Sequence, residues 1–309
     1  MPICTVCTTA VPFLYTVYES AYNLRLEQCG NCHTFADPYV EHDLLTLILD
    51  LILLKRGVFR HLLYNRGAEP RRFVGGTAVD SNTLRHVAAH KEKMRLLTIC
   101  RFGGPLICVD ALGVFVVHST ACRNFNSEPN QPSDVSPWTW ETMQSLFRTF
   151  IGVLVETMAF HAGVICACYV VLGIADRLGS RHAMSDIRRE FRFSLVPLAL
   201  FYSSLTKLFL LFLLTIWRPS SKSIPLRTSP LTLQLFDDDK IDREWVVRNV
   251  LGGMSAGFGL RVVLDSHPLF TTIIIISGWV AKTAVSHLVS RWVGGDEQMG
   301  EAWRAYSIP

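Results

Sequence analysis

Two Cys-x-x-Cys pairs open this chain, Cys4-x-x-Cys7 and Cys29-x-x-Cys32, with 21 residues between them. One such turn brings two sulfurs to one ion, and a second turn completes a tetrahedral thiolate set of the kind zinc prefers. The stretch between the pairs, Val11–Tyr18 and then Asn23–Glu27, is rich in β-formers, as a hairpin joining two knuckles requires. About 35 residues bury little core, so a bound metal would supply most of the stability, on the order of 10–16 kcal/mol. The reading is a structural Zn2+ held by Cys4, Cys7, Cys29 and Cys32. A thioredoxin-type dithiol is the rival, but that motif belongs beside a βαβ pattern, and none is visible. His33 follows Cys32 directly and reads as a solvated knuckle histidine rather than a ligand.

The remainder is apolar. Of 309 residues, 50% are hydrophobic and 18% charged, and the mean hydropathy is +0.28. A net charge of +4 is not that of a nucleic-acid binder, and the hairpin Val11–Gln28 carries only Arg25 as a basic residue. The fold class expected is an α-helical polytopic membrane protein of about four spans with a small N-terminal β zinc ribbon. The expected spans are 96–118, 151–173, 195–217 and 269–289. The glycine-rich piece Trp245–Leu264 has an uncharged run too short for a fifth. The expected organisation is a ribbon at 1–36, an amphipathic helix within 37–66, a polar connector at 67–95, a transmembrane region at 96–290 with a polar loop at 218–245, and a tail at 291–309.

The helix expected over Tyr39–Asn65 has an apolar centre of eleven residues, Leu44–Leu54, too short to span about 30 Å of hydrocarbon. Asp43, Thr46, Asp50, Gly57 and His61 fall on one polar stripe, and Lys55, Arg56 and Arg60 follow. These side chains, Asp43, Asp50, Lys55, Arg56, Arg60 and His61, are assigned to the cytosolic membrane interface. The basic run divides evenly between attraction to anionic lipid and a plain solvated face. Within the spans the ionisable residues are Asp110, Glu156, His161 and Lys282, functional by default at such depth. Asp110 and Lys282 are expected to pair. Glu156 and His161, five apart, are about 140° apart around a helix and so should not share a face. Cys100, Cys108, Cys166 and Cys168 read as small core residues. Met1-Pro-Ile-Cys4 enters the first knuckle at once, so no signal peptide is expected, and zinc thiolates suit the reducing cytosol.

The first 66 residues resemble the Arv family of endoplasmic-reticulum membrane proteins of sterol homeostasis. The resemblance rests on the two cysteine pairs, Leu14–Tyr18, Leu26, Ala36–Asp43, Leu49–Lys55 and Phe59–Asn65. Thr8 replaces the glycine usual after the first knuckle, and Pro38 a common lysine. The resemblance implies a non-enzymatic protein of the endoplasmic-reticulum membrane, with the Golgi as a second location. It implies a role in sterol transport and distribution and in sphingolipid and glycosylphosphatidylinositol (GPI) precursor balance. The partners implied are membrane lipids (sterol, sphingolipid or GPI precursor) and lipid-synthesis enzymes. A membrane-embedded lipid-modifying enzyme and a zinc-ribbon scaffold for such enzymes remain the alternatives.

Overall fold

The computed structural model describes residues 1–18, 24–72, 81–126, 139–177, 186–217, 245–294 and 303. Residues 218–244 of the expected polar loop, residues 127–138 and most of the tail lie outside them. Three short strands form the head: β1 (Tyr15–Val17), β2 (Leu24–Leu26) and β3 (Arg71–Arg72). β1 is central, antiparallel to β2 with Thr16 opposite Arg25, and parallel to β3 with Thr16 opposite Arg71. The third strand was not expected from the sequence. Two residues of the expected connector therefore close the head's sheet.

The expected single helix over Tyr39–Asn65 is broken. Asp37 caps a 3-10 turn at Pro38–Glu41, accepting from Tyr39 N at 3.1 Å, with proline at the first helical position. α1 runs Leu44–Ile52, capped by Asp43, which accepts from Thr46 N at 3.3 Å. Leu54 then adopts φ 56, a left-handed conformation that ends the run. α2 resumes over Arg56–Arg60 and widens into a π turn at His61–Asn65. Local propensity favours continuing the helix through Leu53–Lys55. Tertiary packing prevails, because Leu54 turns into a core built on Val58, Phe59 and Leu63.

Among the described residues, four helices are long and apolar enough to cross a membrane. α3 is Ser81–Asn126, with its apolar part at Ala89–Val116; α4 is Trp140–Arg177; α6 is Leu195–Ile216; α8 is Pro268–Gly294. A short α5 (Asp186–Glu190) precedes α6. α7 (Gly252–Leu264) follows a π turn at Val246–Leu251 and packs along α6. The chain is thus an α-helical polytopic membrane protein with a small cysteine-bearing β head. α3 begins within the expected connector and passes through Gly103-Gly104-Pro105 without ending, and the Phe201 ring packs on Gly103 where a Cβ would stand 2.7 Å from it. α4 and α8 pack closely over much of their length: a Cβ on Gly278 would lie 2.6 Å from Val164. Of the span cysteines only Cys168 is buried, while Cys100, Cys108 and Cys166 face outward, against the expectation of four core residues.

The head is welded to this bundle. Ile3, fully buried, shares a core with Val58, Phe59, Ile187, Leu198 and Val263. The Asn65 carboxamide donates to Ile3 O at 2.8 Å and accepts from Ile3 N at 2.8 Å, as a neighbouring strand would. It also donates to buried Asp37 Oδ2 at 2.7 Å, and His61 Nδ1 lies 2.7 Å from the same oxygen. Asn65→Ala should therefore leave several buried groups unmatched, at about 1–3 kcal/mol each. A clear fall in the melting temperature of the purified protein is expected, and a wild-type melt would show that this lock contributes nothing to stability.

Candidate functional site: a four-thiol centre and a charged intramembrane cavity

The two knuckles are near copies of each other. In the first, Thr8 N donates to Cys4 O at 3.0 Å and Cys4 N to Thr9 O at 2.9 Å. In the second, His33 N donates to Cys29 O at 2.9 Å and Cys29 N to Thr34 O at 2.8 Å. Both turns close on a left-handed residue, Thr8 at φ 67 and His33 at φ 57. Glycine would adopt that conformation freely; threonine there is strained by about 1–2 kcal/mol. His33 is exposed and serves the turn through its backbone.

The turns bring the four sulfurs together. Cys4 and Cys32 Sγ are 3.7 Å apart, Cys7 and Cys29 Sγ 3.5 Å, and all four lie within 4.8 Å of one another. Four thiolates at about 2.3 Å from a tetrahedral ion would be about 3.8 Å apart. The residues present fit a metal of that kind. Without it, burial pushes the Cys4 thiol up to about 12. Burial also opposes the Cys7 thiolate, but bonds from Thr9 outweigh it and bring the group down to about 6. Thr34, 3.0 Å from Cys32 Sγ, lowers that thiol too. Among the described residues the head's own core buries Val11 and Leu14 as its large aliphatics, with Val40 packed at its edge. At about 1.5–3 kcal/mol each they contribute far less than a metal would.

The residues assigned to the membrane interface divide. Asp43 is a helix cap, and Arg56 is exposed. Asp50 is buried, pairs with Lys55 at 2.7 Å and accepts from Tyr39 Oη at 3.3 Å. His61 is buried against Asp37. Arg60 donates through Nη1 to Thr5 O at 2.8 Å and Val6 O at 2.9 Å, placing a cation behind the first knuckle. Burial lowers its pKa below the usual arginine value. These groups tie the head to its helices, because helix formation and docking offered them buried partners. The outward surface of α1 is instead aliphatic, with Leu44, Leu45, Leu49 and Leu53 exposed.

A second polar centre lies between the spans. α3, α4, α6, α7 with its preceding turn, and α8 enclose a cavity of about 140 Å³. All four ionisable residues singled out in the spans line it: Asp110, Glu156, His161 and Lys282. Glu156 and His161 do meet there, because the cavity curves around α4 instead of facing one narrow stripe. The expected Asp110–Lys282 pair is not formed. Asp110 Oδ2 is 3.0 Å from Lys207 Nζ, and Arg248 Nη1 is 2.9 Å from Oδ1, a charge contact without hydrogen-bond alignment. Glu156 Oε1 instead accepts from the indole N–H of buried Trp303 at 2.8 Å. The sequence reading missed Lys207, although a lysine inside an apolar span is itself a signal. Arg248 and Asn249 stood in a piece read as merely amphipathic. Trp303 stood in the tail, where nothing in the sequence marked it.

The sequence model of the Arv1-like family matches residues 3–233. The chain belongs to that family. It is similar to Protein arv1 of Schizosaccharomyces pombe, 48% identical over 63 residues, which is 20% of this chain and 24% of that protein. Protein ARV1 of Saccharomyces cerevisiae is 44% identical over 63 residues, 20% of this chain and 19% of that protein. Protein ARV 2 of Arabidopsis thaliana is 48% identical over 62 residues, 20% and 27% of the two chains. These alignments therefore span about a quarter or less of each relative. No solved structure matches. Arg248, Asn249 and Lys282 lie beyond the residues that the family model matches.

Two outcomes are expected. Metal analysis of the purified full chain should give about one metal ion per chain. Cys29→Ser should abolish it, and acidification should release it, because protons compete for thiolates. A chain free of metal at neutral pH would reject the site. In the bundle, Asp110→Asn should strand Lys207 and Arg248 and destabilise by about 3–5 kcal/mol, while Lys207→Met, which leaves Asp110 beside Arg248, should be milder. A double-mutant cycle on detergent melting should show coupling, and strictly additive losses would remove the ion cluster as a stabilising unit.

Proposed function

We propose that this protein handles lipid in the endoplasmic-reticulum membrane without catalysing a reaction, acting in sterol distribution and in sphingolipid and GPI-precursor balance. The metal of its head is zinc in a structural role, and the head faces the cytosol. The Golgi is a second location, and lipid-synthesis enzymes are further partners. The observation that carries the reading is the cavity inside the bundle, with charged groups on one part of its wall and Leu106, Phe160 and Leu208 on another. An amphiphile presents the matching pair of surfaces.

The hydroxyls in the cavity favour holding over attacking. Ser203 Oγ donates to Leu200 O at 2.9 Å and Ser204 Oγ to Phe201 O at 2.8 Å, so both are turned onto their own helix. His161 Nδ1 lies 2.7 Å from Thr157 O, which commits that ring nitrogen to its own helix, and neither serine hydroxyl is bonded to the ring. A nucleophile would need a base within hydrogen-bond reach. The four-thiol centre sits in the head beside Arg60, apart from this chemistry, and suits a fold-building metal.

The test is reconstitution of the purified chain into liposomes with labelled sterol and, separately, a labelled glycolipid precursor. Transfer between vesicles above the protein-free rate is expected. Appearance of a modified lipid would make the protein an enzyme. No transfer and no product would leave the scaffold reading.

A further inference from the structure

We propose that the intramembrane cavity holds the phosphate headgroup of a hydroxylated anionic lipid, with Lys282 as the anion contact, Asn249 as a second donor and His161 as the acceptor for a headgroup hydroxyl. The proposal rests on the lipid-handling reading and narrows it to a phosphate-bearing cargo.

Charge is the first argument. The cavity wall carries three cations, Lys207, Arg248 and Lys282, against two carboxylates, Asp110 and Glu156. Lys207 and Arg248 both contact Asp110, and Glu156 accepts from Trp303. Lys282 forms neither a hydrogen bond nor an ion pair with the described residues, although it stands near the middle of α8. An ammonium at that position is unfavourable by several kcal/mol unless an anion or water meets it. The wall also carries Glu156, so Lys282 is not without a carboxylate nearby, but three cations against two carboxylates leave one cation in excess.

Unmatched polar atoms are the second. Asn249 is 4% exposed and its Nδ2 has no partner; His161 is 9% exposed and its Nε2 has none. Buried polar atoms are nearly always satisfied, and each exception is unfavourable by about 1–3 kcal/mol. Among the cavity-lining exceptions, Asp110 and Arg248 meet each other, with Oδ1 and Nη1 2.9 Å apart, which leaves Asn249 Nδ2 and His161 Nε2 to mark a place where something binds. Their chemistry says what. Asn249 Nδ2 can only donate, as Lys282 can. The Thr157 carbonyl can only accept, so His161 Nδ1 donates to it and Nε2 presents a lone pair. Two donors and one acceptor fit a phosphate oxyanion with a hydroxyl close by.

Size is the third. A cavity of about 140 Å³ has room for a phosphate ester. Pockets that bury drug-sized molecules run to about 300–1,000 Å³, so this cavity suits a headgroup better than a whole lipid. The acyl chains of a phospholipid would stay in the bilayer beside Leu106 and Leu208.

The test uses the full chain in detergent, presented with phosphatidylinositol, phosphatidylglycerol, phosphatidylcholine or sterol, with retained lipid counted by native mass spectrometry. One phosphatidylinositol or phosphatidylglycerol should be retained per chain in preference to phosphatidylcholine and sterol. Lys282→Met should weaken retention roughly ten- to a hundred-fold, as loss of a charged hydrogen bond does, while Lys282→Arg should keep most of it. Each variant is melted alongside. Retention of phosphatidylcholine equal to that of the anionic lipids by the wild-type chain would overturn the proposal whatever the variants do. So would a Lys282→Met variant that melts and retains lipid like the wild type. Millimolar inorganic phosphate that displaces the lipid fully would show a free-anion site and overturn the lipid assignment. If retention fails while liposome transfer persists, the cavity assignment falls and the lipid-handling reading stands; if transfer fails too, both fall.

Discussion

The carboxamide of Asn65 joins the two halves of the molecule. It completes the backbone hydrogen bonding of Ile3 and fills one of the bonds that buried Asp37 requires. An aspartate with no exposure is tolerable only when its oxygens are matched, and here Asn65, His61 and Tyr39 N supply the partners. Each partner comes from the chain that follows the second knuckle. The four-sulfur centre, the turn at Asp37 and the π turn at His61–Asn65 therefore form one rigid block. Ile3 and Phe59 carry that block into the core of the bundle. A head tethered by a flexible linker would leave these groups solvated. This one forms part of the wall of the membrane domain, so loss of metal from the knuckles should be felt in the packing around α6 and α7.

What could be read beforehand follows the range of the interactions. The knuckles were legible because two residues between cysteines bring two sulfurs together whatever the surroundings. The spans were legible because hydrocarbon thickness fixes a length of apolar chain. The break at Leu54 was not, because nothing in Leu51–Leu54 disfavours a helix. It is imposed by Phe59 and Leu63, which the next helix brings to the core. A period of 3.6 residues marks Asp50 and His61 as polar positions, yet it cannot distinguish a face toward lipid headgroups from one toward a buried aspartate. Asp110 was matched with Lys282 by depth alone. Its actual partners, Lys207 and Arg248, depend on how α6 and the turn before α7 lie against α3, information that no single helix contains.

The cavity illustrates the same limit. Taken one helix at a time, Glu156, His161 and Lys282 are isolated polar residues, each explicable by snorkelling or by an unseen neighbour. Their meaning comes from convergence. Five helices turn polar groups toward a space that suits a headgroup better than a whole lipid, and the match among those groups is incomplete at Lys282, Asn249 and His161. A bundle stabilised by van der Waals packing alone would have no use for such residues. The tight approach of α4 to α8 at Gly278 shows that close packing was available elsewhere in the same bundle.

The sequence separation of the head's contacts also bears on the order of assembly. All four sulfurs come from the first 32 residues, so the knuckles can close as soon as that stretch leaves the ribosome. The surfaces that cover the head come much later. Ala10 N bonds Asp186 Oδ2, 176 residues on, and Tyr64 donates to Val263 O, 199 residues on. Between those events the growing chain carries the closed knuckles with Ile3 and Phe59 uncovered. That interval, set by translation and membrane insertion and not by any barrier within the head, is when the nascent protein is most open to chaperone capture or to wrong partners.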